Sequence, residues 1–486
     1  MAEDIRKAPA EKLSKREIGS IMAGLMVAMF PGALDTTIIG PAMPTIGREL
    51  GDVEHLPWVV TSYLLVSTAA TPLYGKLSDI HGRRIMLLWA IGLFALGSIF
   101  CAVAPTMITL ALARALQAVG GGGLMSLAMT IVGDIVPPLE RPKYQIYTSI
   151  MWTTSSLLGP ALGGYLADKW HWSLIFWINL PICLVAWVMT DSKLKRLPRH
   201  ERPHKLDFAG AGLLVLASVL VQLMLSWGGT RYPWGSPHVL GVMVGAAVAT
   251  ALLTWRLRTA AEPLIPLRLL SNQVVLTGGA SVGLCMGVFV GLSIYVPIYF
   301  ETVMGLTATE SGLALLPLMT GSSIGAVACG KIMVRVRRYK ILPMVGLIMG
   351  GLSLLPLFVW PEGISLLTIE ALFTLVSIGV GGVFPVTTIS AQNAVPKHDL
   401  GTTTAMITFL RNIGAAIGVA VFGTLVIGAG VTEIGAATGA AVVTGADYAA
   451  QFRWIFLAGA IGFLLSAAAL AAMEERPLKA QGSGKM

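Results

Sequence analysis

Residues 18–44 read IGSIMAGLMVAMFPGALDTTIIGPAMP, an apolar run with one acidic side chain, Asp35, past its middle. About 20 apolar residues cross the ~30 Å hydrocarbon layer of a bilayer as a helix, so this stretch spans a membrane with Asp35 still inside it. An Asp at the centre of such a helix costs roughly 2.5–3.5 kcal/mol on insertion scales. No Lys or Arg stands within a turn of Asp35 to offset that cost. An ionisable group held there is functional by default, most simply as a relay for a proton or cation. The competing reading, a backbone cap for the short run after Pro31, asks less of the residue and is compatible with the first.

The rest of the chain has the same character. Of 486 residues, 55% are hydrophobic and 12% charged, and mean hydropathy is +0.76. Soluble domains carry about 25% charged residues, so this is an integral membrane protein whose main partner is the lipid bilayer. The net charge of +9 does not mark a nucleic-acid binder, because the basic residues are scattered in short loops and do not cluster on one domain. Cys101, Cys183, Cys285 and Cys329 each lie in an apolar run, with neither metal-ligand spacing nor a disulfide framework. Residues 1–17 read as a charged cytoplasmic tail ahead of a signal-anchor helix.

Apolar runs bounded by charges, Pro or Gly predict fourteen spans. Six lie within 18–191, two more (about 208–227 and 238–255) within 192–271, and six within 272–473; residues 474–486 form a second cytoplasmic tail. The loops test this count. Arg48, Lys169, Arg231 and Arg453 fall on one side and Arg114 and Arg411 inside spans, so the other side holds all the rest of the 34 Lys and Arg. By the positive-inside rule that side is cytoplasmic and holds both termini.

The two six-span halves resemble each other. Gly75-Lys76-Leu77 followed by Arg83 matches Gly330-Lys331-Ile332 followed by Arg338, and 159–163 (GPALG) matches 414–418 (GAAIG), both at an offset of 255 residues. The offset crosses an even number of spans, so the halves are parallel repeats, with a site expected between them near the bilayer midplane.

Several motifs fall on this frame. The loop at 75–87, GKLSDIHGRRIML, joins spans 2 and 3 and offers a small residue for close helix approach, a helix-end acceptor and two cytoplasmic cations. Here the chain resembles the major facilitator superfamily, whose hallmark loop runs Gly-x-Leu-x-Asp-x-x-Gly-Arg-Arg/Lys. The stretches at 34–44, 58–64, 170–181 and 207–210 are similar to its fourteen-span drug:proton antiporter branch. Arg114-Ala115-Leu116-Gln117 resembles that superfamily's span 4 motif, although its Gly arrives late, at Gly120. Gly159-Pro160-Ala161-Leu162-Gly163-Gly164 is similar to the span 5 motif of antiporters. The resemblance implies an all-α major facilitator fold of 6+2+6 helices in two pseudo-symmetric bundles. It also implies a conformational latch formed by Gly75, Asp79, Gly82, Arg83 and Arg84.

Roles follow from the chemistry. Arg114, always charged, would tune a nearby carboxylate as a cavity opens and closes; the bland alternative is that it satisfies helix-end carbonyls. Gly159-Pro160 removes a side chain and a backbone donor, allowing span 5 to bend and pack tightly. Glu301, where relatives often carry Gln, joins Asp35 and Arg114 as a proton-coupling candidate, while Glu310 reads as solvated. Arg411 reads either as the partner of an acid or as a cytoplasmic snorkelling anchor. Together with Glu370 and the adaptable groups Trp152, Met286, Phe289, Tyr295 and Tyr299, it is a candidate for lining a substrate cavity. Gly120–Gly123 lacks the Lys-Ser/Thr of a phosphate loop.

The resulting expectation is a non-enzymatic, multi-pass transporter of the bacterial plasma membrane, free of cofactors and driven by protons. It would export amphipathic or cationic organic compounds as a monomer, with a periplasmic adaptor left open. A proton falling through 100 mV yields ~2.3 kcal/mol, enough for roughly fiftyfold accumulation of a neutral solute. The alternatives are an exporter of one physiological solute (a lipid, siderophore, amino acid or organic acid) and, from another class, a non-transporting receptor.

Overall fold

A computed structural model describes residues 15–51, 55–56, 58–138, 140–196, 207–229, 231–260, 263, 265–306, 308–333, 339–396, 399–427 and 445–477. The distal part of each tail and Arg338 of the second-half repeat lie outside the described residues.

Helices dominate the described chain. The N-terminal half contains α1 (Lys15–Leu50), α2 (Trp58–His81), α3 (Arg83–Ala102), α4 (Met107–Ile135), α5 (Arg141–Lys169) and α6 (Leu174–Lys193). Next come α7 (Phe208–Trp227) and α8 (Pro237–Thr259). The C-terminal half contains α9 (Gln273–Thr302), α10 (Glu310–Met333), α11 (Ile341–Val359), α12 (Leu366–Asn393), α13 (Leu400–Ile427) and α14 (Gly445–Ala472). Among the described residues, 12 helices are long and apolar enough to cross a membrane. The expected spans at 57–75 and 146–167 coincide with α2 and α5, which have the length but more polar faces. Both helices lie at the seam between the halves, where polar groups face protein and not lipid.

Helix starts obey local chemistry. Thr106 and Thr109 form a reciprocal capping box at α4. Ser236, Asn272 and Ser365 cap α8, α9 and α12 through their side-chain oxygens. Between α2 and α3 the chain reverses through Gly82 at φ +91°, a conformation that a Cβ disfavours.

The halves pack alike. In the first, α1 lies on α5 and α6, α2 on α4, and α3 on α4 and α6. In the second, α9 lies on α13 and α14, α10 on α12, and α11 on α12 and α14, the same scheme moved on by eight helices. The 255-residue repeat occupies equivalent closures. A Cβ on Gly159 would strike Thr37, and one on Gly163 the Ile38 carbonyl; Gly414 and Gly418 meet the backbone at Gly283 and Gly287. Two seams, α2 against α13 and α5 against α10, join the halves. Leu214, Leu257 and Ile265 of the inserted segment pack with Met406 of α13 and Leu73 of α2, over the first seam.

Candidate functional site

Two polar constellations stand out, one inside the N-terminal bundle and one between the halves. In the first, Asp35 on α1 and Arg114 on α4 are each 1% exposed and form an ion pair, Nη1 to Oδ2, at 2.6 Å. Gln117, one turn beyond Arg114, donates to Asp35 Oδ1 at 2.9 Å and accepts from Arg114 at 2.6 Å. Its amide also donates to Ser98 on α3 at 2.9 Å, and Asn179 on α6 donates to the same hydroxyl at 3.4 Å. Arg114 Nε donates to the Val59 carbonyl at 3.1 Å, and its guanidinium lies 4.3 Å from the ring centre of Tyr63, both on α2. Five helices thus converge on one buried charge pair. Asp35 has no cation within a turn on its own helix and finds one on α4. The helix-end alternative is only part of Arg114's role, because a single carbonyl bond accompanies the ion pair.

Such a pair is costly to break. Removing one partner of a buried ion pair strands the other and costs about 3–5 kcal/mol. Two contacts with α5 hold α1 in place. Thr37 donates to the Ser155 carbonyl of α5 at 2.8 Å, and Gly159 and Gly163 admit α1 at Thr37 and Ile38. Pro160 lies inside α5 on an exposed face, and Gly164 has room, its nearest neighbour being Pro41 at 3.8 Å from a built Cβ.

The second constellation closes the end of the bundle that carries the basic loops. Asp79 accepts from the Thr402 backbone at 3.1 Å and from its hydroxyl at 2.8 Å, at the start of α13. A carboxylate at a helix N-terminus satisfies free N–H groups and opposes the positive end of the helix dipole. Arg83 bridges Asp79 at 2.5 Å, Ser78 at 2.7 Å and Asp134 of α4 at 2.8 Å, while Arg84 pairs with Asp191 of α6. A Cβ on Gly75 would lie 2.6 Å from Ala405 and 2.8 Å from the Gly401 carbonyl, so the two helices touch backbone to backbone. Beside them Arg141 donates to Gln392 of α12 at 2.9 Å, and Gln392 donates to Thr404 of α13 at 2.9 Å. The α5–α10 seam carries a Thr153–Ser323 hydroxyl contact at 2.5 Å.

The remaining sequence candidates separate. Trp152, Met286 and Phe289 are half-buried, and each packs against the core of its own half. Tyr295 and Tyr299 are packed into the core of the C-terminal half. Tyr299 is 2% exposed, donates to the Pro361 carbonyl at 2.7 Å and packs edge-on against Phe452 and Phe456. Tyr295 is buried in the same core and donates to the Val419 carbonyl at 3.3 Å. Their phenols reach backbone acceptors inside the bundle. Glu301 is exposed at the far end of α9, outside the Asp35 network, and Glu370 is half-buried one turn into α12. Among the described residues Arg411 forms no ion pair with an acid. Its guanidinium sits 4.8 Å from the ring centre of Phe384, and its polar contact is Asn412 at 3.3 Å. Sequence reasoning missed Ser98, Arg141, Gln392 and Thr404; for Ser98 a polar residue inside an apolar run was the available signal.

The Major Facilitator Superfamily profile matches residues 25–419. An uncharacterized MFS-type transporter of Mycobacterium tuberculosis (strain ATCC 25618 / H37Rv) is 34% identical over 408 residues, 83% of this chain. This chain spans 59% of that relative's length. The multidrug transporter protein MdtP of Bacillus subtilis (strain 168) is 32% identical over 414 residues, 85% of this chain and 75% of its own. A bacterial homologue of the iron transporter ferroportin, solved in an outward-facing state, shares the fold at a TM-score of 0.67 and 13% identity, covering 95% of this chain and 100% of that one. The chain belongs to the Major Facilitator Superfamily.

Proposed function

We propose that this protein is a proton-coupled secondary transporter that exports amphipathic organic compounds, with Asp35 as the coupling carboxylate. The observation that carries this reading is the Asp35–Arg114 pair, sealed at 1% exposure where five helices meet. Charge buried at such cost inside a membrane bundle belongs to a moving part more readily than to a passive strut. The chain crosses the membrane fourteen times, with the basic loops and both termini in the cytoplasm of a bacterial cell. Its halves occupy 18–191 and 272–473. The sealed end then faces the cytoplasm, so this is the outward-facing state. Relatives whose names read multidrug transporter and efflux pump support export over uptake.

In this mechanism a proton taken up by Asp35 removes the acceptor that holds Arg114 and Gln117, and α1 loosens from α4. Because α1 is keyed into α5 at Gly159 and Gly163, its movement is passed to α5. From there it reaches the α5–α10 seam at Thr153 and Ser323. Export of cargo and entry of the proton thus share one rocking motion, powered by the proton gradient.

Dye transport into inverted vesicles under an imposed pH gradient tests the reading. The wild-type protein should accumulate dye when the lumen is acidic. Asp35→Asn, inserted at equal abundance, should not. An Asn variant with full gradient-driven transport would defeat the proposal.

A further inference from the structure

We propose that Arg411 is the anion-recognising group of the transport cavity, so that the preferred cargo is an organic anion. Its chemistry would be an apolar, usually aromatic body bearing a carboxylate, sulfonate or ionised phenol. This inference rests on the transport reading above and names its substrate class.

Depth comes first. Arg411 is eleven residues beyond Leu400, the first residue of α13, or ~16 Å along the helix. That places it well inside a ~30 Å hydrocarbon layer. Orientation follows from periodicity. Arg411 lies seven residues past Thr404 and three past Thr408, on one helix face, and both threonines are buried. Thr404 accepts from Gln392, which in turn holds Arg141 of the other half. The face therefore looks onto the interface of the halves, with Arg411 ~10 Å, two turns, above the closed layer. Met406, on the opposite side of α13, packs against α7.

Partners are the second observation. A guanidinium has five donors. Among the described residues no carboxylate pairs with Arg411; it has the neighbouring Asn412 amide at 3.3 Å and the face of Phe384. The side chain is half-buried, so part of its surface stays open. An intramembrane cation normally has a counter-ion, and here the missing one is supplied by cargo.

Third is the sign of the interior. Asp35 and Arg114 cancel each other, both closed off from the cavity. Glu301 and Glu370 stand near the far ends of α9 and α12. The mid-depth interface among the described residues is left with one positive charge and an aromatic wall, Phe384. A cation entering there meets repulsion; an anion meets a planar donor fork.

Equilibrium binding of two dyes sharing a xanthene ring system, anionic fluorescein and cationic rhodamine 123, to the full chain in lipid nanodiscs tests the assignment. Wild type should bind fluorescein more tightly. Arg411→Gln should weaken fluorescein binding by roughly ten- to hundredfold, as loss of a charge-assisted contact does, and leave rhodamine 123 unchanged or tighter. Arg411→Lys, which keeps the charge, should retain the anion preference and serves as the second variant if the Gln form does not fold. A wild-type preference for rhodamine 123, absence of fluorescein binding, or an unchanged dye ratio in Arg411→Gln would overturn the proposal. Because binding is read without a gradient, loss of proton coupling with the anion preference intact would count against the export mechanism alone.

Discussion

At the residue scale, Asp35 is the position that declared itself, because a carboxylate in an apolar run has no bland explanation that removes its cost. Its partners were far less legible. Periodicity tells which residues share a face of one helix, but not which faces of α2, α3, α4 and α6 will meet. Arg114 and Gln117 were visible as a motif; Ser98 resembled any small residue in a span. The same limit hid the packing of Tyr295 and Tyr299, whose phenols find backbone carbonyls that no sequence pattern reveals. A buried pair makes its own stability prediction. Asp35→Leu should lose about 3–5 kcal/mol by stranding Arg114, read as a lower unfolding midpoint in detergent. The double variant Asp35→Leu/Arg114→Met should regain most of that loss, since replacing both partners by apolar groups is often neutral. If the second change deepens the loss, the pair is not what connects the two positions.

At the element scale, the contacts that matter are made by absent side chains. The 255-residue repeat marked Gly159, Gly163, Gly414 and Gly418 in advance, since duplication preserves the positions where two helices must touch. What the repeat could not show was the partner helix. Gly159→Leu should push α1 away at Thr37, costing about 1–3 kcal/mol and slowing gradient-driven flux more than cargo binding; an unchanged rate would separate the α1–α5 closure from transport. Gly75→Leu should wedge α2 from α13, because Ala405 and the Gly401 carbonyl leave no room. The expected result is faster labelling of a Thr404→Cys reporter by a polar maleimide applied from the basic-loop side. The native thiols give little background, as all four are buried.

At the scale of the whole molecule, composition, loop charge and the repeat made the paired-bundle plan legible, since each depends on length and sign and not on side-chain geometry. The state of the machine was not legible, because closure of one end depends on Asp79 meeting the first turn of α13 and Arg141 meeting Gln392. Charge bookkeeping across the membrane gives a whole-molecule prediction. Exchange of one inward proton for one outward anion moves two charges in the same sense, worth roughly 4.6 kcal/mol at 100 mV, or about three decades of accumulation. Exchange for a monovalent cation moves none. Clamping the potential at zero with potassium and valinomycin should therefore cut export of fluorescein steeply; an export rate indifferent to the clamp would mean a different stoichiometry or cargo charge. The inserted pair α7–α8 adds an asymmetry of access. Trp227 meets Trp58 of the first half edge-on, and Trp234 donates to Thr424 of the second at 2.9 Å, so the pair drapes across one joint while Tyr147, Ile150 and Leu157 of α5 stay bare beside the other. Seen from the side the two joints are therefore unequal, one shuttered by the inserted pair and the other left unshuttered.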